Sequence, residues 1–442
     1  MNKYNTHTQF LDIWISKIPA RWQAHKMKHL FSERSEKGYP NEPLLVASQN
    51  MGVVPKNVYG NRTVEAQKDL HLLKLVRVGD FVISLRSFQG GLEYAYYQGI
   101  ISPAYTILIP HEPMSGSYFR YLAKSKPFIG LLTLCVTGIR EGQNIDYAKL
   151  KNHLLPVPPR EEQDQIVRFL DWKVSSINRL IAVKQKQIAT LKEFMQTEIE
   201  KQLYAYPVVS VVRLKQLGTF FKGGGFSRDN LVEDEEYPAI LYGDIYTQYE
   251  YKTSIITHHI DGTAYSASRK ILKGDIVMAG TGETKDEIGK SILYMGDQIV
   301  AVGGDVIVFH PNEGINVEYL LYQLYCQAAL KHRYINGKGD IIVHIYPTAL
   351  GNTIITLPRE ADQNKVVSRI NEIIDQVKKA IAVLTDEISV LREYRVRIVA
   401  DTVTGKIDVR GIEIPEYEFV DEDNDNVDEN LEQGADEPPE EE

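Results

Sequence analysis

Apolar positions along this chain keep two different periods. Over two long stretches they recur every three to four residues. The first runs Leu170, Val174, Ile177, Ile181, Ile188, Leu191, with Lys184 as its polar intruder. The second runs Ile370, Ile374, Val377, Ile381, Leu384, Ile388, Leu391. This 4-3-4-3 spacing is a heptad seam and predicts two long helices. Each begins after a proline and an acidic turn, PREEQDQ at 159–165 and PREADQ at 358–363, and neither interior holds Gly or Pro. Acidic groups suit a helix N-terminus, and proline blocks extension upstream. Elsewhere the period shortens. The runs GDFVISL (79–85), AYTILIP (104–110), GDIVMAG (274–280) and DVIVFHP (305–311) read as strands, and 115–132 and 316–333 as amphipathic helices.

The two regimes repeat. IAVKQKQIATLKEF from Ile181 resembles IAVLTDEISVLREY from Ile381, an offset of 200 residues, and Gln163 matches Gln363 on the same offset. Upstream, Met27-Lys28-His29-Leu30 matches Leu214-Lys215-Gln216-Leu217. Gly79-Asp80 matches Gly274-Asp275, and Asn152 matches Asn352. A repeated unit that cannot bury its own apolar stripe needs its copy. The expected class is therefore α+β. Two mixed α/β domains are joined by two long helices forming an intramolecular antiparallel coiled coil, with a pseudo-twofold relation. The expected divisions are a first domain at 1–155 (with a short N-terminal segment, 1–22) and a first helix at 156–203. A second domain is expected at 204–357, a second helix at 358–410, and a disordered acidic tail at 411–442. About forty residues of helix make a rod of roughly 60 Å. Lys184 is expected to snorkel or to set the register.

Charge changes the picture once it is divided. The whole chain is −9, yet 15 of its acidic residues lie after Arg410, where no Lys or Arg occurs. Residues 1–155 carry 19 basic and 11 acidic groups, and residues 204–357 carry 13 and 17. The first block has the footprint of a phosphate binder, and the second lacks it in bulk. No apolar run reaches the length of a membrane span, no secretory signal is evident, and a cytoplasmic setting is expected. Cys135 and Cys326 are expected to be free thiols.

Catalytic signatures are scarce. No phosphate-binding loop, no His-Glu-x-x-His and no Asn/Asp-Pro-Pro-Tyr/Phe occurs. Asp275 with Glu283 and Lys285 has the order of a metal-dependent nuclease, which leaves a self-contained nuclease as the alternative function. Its repeat partner Asp80 has no such companions, so a turn role is favoured. FFKGGGFS (220–227) is expected to be a backbone- or DNA-contacting loop or a plain turn, and His258-His259 a loop. Basic and polar residues in turns are richer. Candidate DNA contacts are Lys26, Lys28, Arg62, Lys68, Arg86, Ser87 and Gln89 in the first block. In the second they are Lys222, Arg228, Arg269, Lys270, Lys285 and Lys290.

These same residues resemble the specificity subunits of type I restriction-modification systems. The resemblance covers residues 10–410. It rests on DIWISKIPARW (12–22), ASQNMGVVPK (47–56), RSFQGGLEYAYYQGIISPAY (86–105), PPREEQDQIVRFLD (158–171), the duplicated helices and TVTGKIDVRG (402–411). It implies that each domain is a target-recognition domain reading half of a bipartite, asymmetric double-stranded DNA site, with the helices as a ruler. It implies docking of two adenine-N6 modification subunits that bind S-adenosylmethionine, and of restriction subunits that use ATP and Mg. The chain itself would carry no catalytic residue, no metal and no cofactor. The tail is not part of that pattern. It is expected to solubilise the protein or to screen its basic first domain.

Overall fold

Both heptad stripes form unbroken helices, Arg160–Leu203 and Glu360–Val403, in the computed structural model, which describes residues 3–59, 69–138, 144–233 and 237–420. At 44 residues each, they are about 66 Å long. The chain divides into two units, residues 1–185 with 385–442, and residues 186–384. The division passes through the middle of both helices, so each unit is one α/β domain with half of each helix.

None of the thirteen predicted seam positions is exposed. Leu170, Ile177, Ile181, Ile370, Ile374, Val377 and Ile388 are buried, and Val174, Ile188, Leu191, Ile381, Leu384 and Leu391 are half-buried. Off-seam apolar residues such as Val183 and Val390 face water. In the first unit, Asn178 accepts a bond from Arg395 at 2.8 Å and Lys184 meets Glu387 at 2.6 Å. As one helix advances, its partner retreats, so the halves run antiparallel. In the second unit, Ile199 and Leu203 share a core with Val366, Ile370 and Ile374, which is the same sense. Lys184 thus keeps its stem in the seam and its charge on the partner helix.

Each domain is closed by pairing a strand near its start with its last strand, immediately before a long helix. Gln23–Lys26 pairs with Leu154–Val157, and Ser210–Arg213 with Ile354–Leu357. The matched tetrapeptides form single turns of tight helix, Met27–His29 and Leu214–Gln216. The matched asparagines both bond back four residues, Asn152 to the Ala148 carbonyl and Asn352 to that of Thr348. Gln163 and Gln363 each donate to the proline carbonyl five residues earlier, Pro158 and Pro358.

The four predicted strands are present as Phe81–Ile83, Thr106–Pro110, Ile276–Ala279 and Val306–Pro311. In the first unit the sheet orders Phe31–Arg34, Thr106–Pro110, Phe81–Ile83, Glu93–Tyr94. In the second it orders Gly218–Lys222, Val306–Pro311, Ile276–Ala279, Ser291–Tyr294, Lys252–Thr253. Alternate residues of the second sheet enter two cores. Ile276, Met278, Ile307 and Phe309 pack toward the helix of Leu320, Leu321 and the adjoining Leu324. Val277, Ala279, Val306 and Val308 pack toward Ile240, Val300 and Val302 of a second sheet. Burial on both faces explains why these strands are continuous apolar runs. The helical stretch predicted at 115–132 is two helices, Gly116–Ala123 and Lys126–Leu134. Ser125 is extended and Pro127 sits in the first turn of the second helix, which proline permits there and not in a helix interior. Its repeat is likewise split, into Val317–Gln323 and Gln327–Asn336, around an extended Cys326.

The tail needs a correction. Residues 411–420, expected to be disordered, are held on the first long helix. Gln165 Nε2 donates to the carbonyls of Val409 and Ile412. Ser175 donates to the Glu418 carbonyl and accepts from the Val420 N–H, and Asn178 donates to the Val420 carbonyl. Ser175 is 1% exposed and Asn178 6%, and buried polar groups need such partners. Acidic composition hid this because the bonds use main-chain groups. Residues 421–442 lie outside the described residues.

A buried ion pair braces the first domain. Glu93, 1% exposed, receives Lys124 Nζ on both oxygens at 2.7 Å, and the same ammonium donates to the Gln49 carbonyl at 2.9 Å. Burial pushes the Glu93 carboxyl up to about 7, against the downward pull of Lys124. The folded state therefore favours the protonated acid. That contribution is full below the ordinary carboxyl range and is lost as pH rises through about 7. Melting curves at pH 5 and pH 8 should show wild type losing stability relative to Glu93→Gln at the higher pH; parallel curves would refute this. Lys124→Ala should cost about 2 kcal/mol, below the usual figure for a broken buried pair because Lys124 is 31% exposed. For the helix register, Lys184→Glu and Glu387→Lys should each destabilise and the double swap should recover about 0.5 kcal/mol. Strict additivity in denaturant titrations would exclude the pairing.

Candidate nucleic-acid interface

The glycine-aspartate turn ahead of the central strand is built the same way twice. Asp80 accepts the Arg77 N–H at 2.8 Å, and Asp275 accepts the Leu272 N–H at 2.8 Å. Both carboxylates are 2% exposed. Their second partners differ. Asp80 takes Arg34 Nε at 2.7 Å, and Asp275 meets His310 Nδ1 at 2.5 Å. This decides the nuclease alternative against Asp275, because its oxygens are committed to a buried turn. Glu283 lies on the exposed loop beyond the strand, and Lys285 reaches Asp340 at 4.0 Å. Among the described residues, no group of three or more His, Cys, Asp or Glu could hold a metal ion.

Each central strand leads into a polar turn, and in each unit a second segment lies against that turn. In the first unit this is the Ser87–Gly90 turn. The hairpin of Leu45–Ser48 and Gly52–Pro55 reaches it, with Gln49 Nε2 donating to the Arg86 carbonyl at 3.4 Å. A side chain at Gly90 would strike Gln49 at 2.7 Å, so glycine lets the two segments meet. Two sequence motifs about forty residues apart thus form one surface. Arg86 and Gln89 are exposed there with Gln49 and Asn50, and Lys124 ties the hairpin down from behind.

In the second unit the turn is Thr281–Lys290. Thr281–Gly282 pairs with Val343–His344, and Thr281 Oγ1 lies 3.0 Å from His344 Nδ1. Tyr246, on the short helix Tyr242–Thr247, directs its hydroxyl to the Glu287 carbonyl at 3.4 Å. Lys285 and Lys338 belong to this surface.

Other predicted contacts are placed elsewhere or occupied. Lys26 and Lys28 are exposed at the closing strand pair. Ser87 is fully buried, and its hydroxyl accepts the Ser84 N–H at 2.8 Å. It shapes the turn and cannot touch a base, which corrects the expectation. Lys270 caps the helix Gly262–Ala267 by donating to the carbonyls of Tyr265 and Ser268. Lys290 is half-buried and donates to the Tyr246 carbonyl at 3.1 Å; burial lowers its pKa. Lys222, Arg228 and Arg269 are exposed around the glycine loop, with Arg269 over the Phe221 ring at 5.7 Å. The loop itself is a packing device. A side chain at Gly223 would meet the Gly303 carbonyl at 2.1 Å, and one at Gly225 the Ala267 backbone at 2.8 Å. His258 and His259 lie in the strand His258–Ile260, with His258 on Asp244 at 2.9 Å, where a loop was expected. Arg62 and Lys68 lie outside the described residues. Sequence reasoning passed over Gln49 as a contact, which only its bond to the Arg86 carbonyl singles out, and placed Lys338 among the basic residues of turn-like segments without tying it to this turn.

Residues 208–391 match the family described as the type I restriction modification DNA specificity domain. No curated protein matches the chain. One solved chain, from a structure described as the basis of complex assembly and conformational transition of the type I R-M system, aligns with a TM-score of 0.65 at 14% identity. The alignment covers 89% of this chain and 100% of that one. The HsdS subunit from Thermoanaerobacter tengcongensis aligns at TM-score 0.46 and 16% identity, over 88% of this chain and 98% of its own. The type I restriction-modification S subunit from M. genitalium aligns at 0.34 and 15%, over 88% and 97%. The first of these carries the fold. Residues 208–391 are thus similar to the type I restriction modification DNA specificity domain, and the chain shares the fold of one chain in a type I R-M structure.

Proposed function

We propose that this chain is the sequence-reading subunit of a type I restriction-modification complex. Each α/β domain reads one half of a bipartite, asymmetric DNA site, and the two long helices set the gap between the halves. The chain docks two adenine-N6 modification subunits, which bring S-adenosylmethionine, and through them restriction subunits, which bring ATP and Mg. It supplies no chemistry and acts in the cytoplasm.

One observation carries this reading. The same frame is built twice, with the same buried turn, yet it presents different side chains at the same place. Arg86, Gln89 and Gln49 line the first turn, and Lys285 and Lys338 line the second. Arginine and glutamine can each read a base edge with two hydrogen bonds, while lysines serve phosphates or guanine. Duplicated frames with unlike surfaces suit an asymmetric target better than a palindrome. An isolated scaffold would need only the helices.

Methylation mapping in cells that carry the chain with its partner subunits tests this directly. Wild type should give a split adenine-methylation motif that vanishes when this gene is deleted. Arg86→Ala with Gln89→Ala should relax one half of the motif and leave the other intact. Lys285→Ala with Lys338→Ala should weaken the opposite half. Each lost base contact should cost about 1–3 kcal/mol of discrimination. A methylome indifferent to deletion would refute the proposal.

A further inference from the structure

Lys124 has every donor occupied. Its Nζ donates to both oxygens of Glu93 at 2.7 Å and to the Gln49 carbonyl at 2.9 Å. An ammonium has three N–H donors, and these bonds use them all. Although its side chain is 31% exposed, it is committed inward and holds no donor for a phosphate.

The junction around it is built by close approach. Gln49, Asn50 and Met51 form the tip of a hairpin whose last paired residues are Ser48 and Gly52. Gly52 closes that short loop at φ +74°, the left-handed conformation such a loop needs. A side chain there would strike the Tyr94 carbonyl at 2.7 Å, so the tip lies on the strand Glu93–Tyr94. At Gly91 a side chain would meet the Ala123 carbonyl at 2.2 Å. The Ser87–Gly90 turn therefore lies against the end of the helix that Lys124 caps.

The second unit closes the same junction with neutral groups. Val82 faces Glu93 across the sheet, and Val277 faces Ile292 in the matching register. Lys124 precedes the extended Ser125 between two helices, and Tyr325 precedes the extended Cys326. Ile292 is wholly buried among apolar side chains, and Tyr325 donates to the Ser291 carbonyl at 2.6 Å. Apolar packing often matches or betters a buried ion pair in stability. The pair in the first unit thus has a local reason, and the group it grips is the main chain of Gln49. Gln49 is exposed, and its side chain reaches the Arg86 carbonyl. A carboxamide that reads a base edge by two hydrogen bonds must be held to about 0.5 Å.

We propose that Lys124 and Glu93 are positioning residues for base reading: they fix the Gln49 main chain so that its carboxamide meets one base pair of the half-site read by the first unit. This rests on the DNA-reading function above.

The test uses the complex assembled with its partner subunits, binding the mapped target and duplexes that each change one base pair of it. Gln49→Ala should cut discrimination about tenfold at one base pair. Glu93→Ile with Lys124→Tyr gives the first unit the neutral closure of the second. Lys124→Met leaves Glu93, already pushed up to about 7 by burial, free to take a proton. Both should lose about tenfold at that same base pair and add nothing to Gln49→Ala, with the other half-site and the salt slope unchanged. Lys124→Arg, which keeps donors for both partners, should retain the discrimination. A role in stability alone would weaken the whole half-site evenly. That even loss, failure of both variants to assemble, or wild-type discrimination in both would overturn the proposal. A salt slope lowered by about one would overturn it as well, by making Lys124 a phosphate contact. So would a Gln49→Ala complex that reads every base pair as wild type does. A wild-type complex with no target preference would overturn the DNA reading itself, and this assignment with it.

Discussion

Everything in this chain is organised around two apolar stripes that water will not tolerate. A heptad seam along a 44-residue helix is too narrow to fold on itself and too long to leave exposed. The second copy resolves the problem, and antiparallel packing lets one chain supply both sides. Lys184 and Glu387 show how register is chosen within that seam. Apolar contacts would tolerate a shift of one heptad, but a lysine in the stripe has a place only where an acid faces it. The seam thus acts as a frame whose alignment is set by polar exceptions.

The domains carried on this frame use the same economy of means. Their central strands are buried on both faces, so nothing in them is free to vary without disturbing a core. Variation is confined to the turns beyond the strands. Asp80 and Asp275 mark the boundary between the two regimes. Each closes the turn on the entering side of its strand, and each is buried. Past the leaving side, Arg86 and Gln89 in one copy and Glu283 and Thr284 in the other are exposed, and these side chains differ between the copies. Rigid strand and variable turn together are what a recognition surface requires: a fixed platform and replaceable contacts.

Much of this fold was legible in the chain because it depends on periodicity, and periodicity is local. The seam and the four strands arise from residues within a few positions of one another, whereas the Met27 and Leu214 tetrapeptides and the paired asparagines were visible only as repeats, and their tight helices and back-bonds come from the fold. The candidate interface was less legible because it depends on encounters between distant segments. Ser87 looks like a polar turn residue in sequence, and only the fold shows its hydroxyl turned inward on the Ser84 N–H. Lys270 and Lys290 count as free cations in a charge tally, yet main-chain carbonyls already hold them. Composition assigns a charge to a segment and cannot say whether that charge is spent. The same blindness worked in reverse at residues 411–420, where acidic composition suggested disorder and main-chain bonding imposed order.

That last segment has a consequence for how the protein can change over time. Gln165, Ser175 and Asn178 grip the strap through its carbonyls and one N–H, groups that nearly every residue possesses. The course of the strap is therefore written on the helix, and its own side chains are left largely free to drift. At Val420, whose N–H is gripped, the exception is proline, which has no N–H to give.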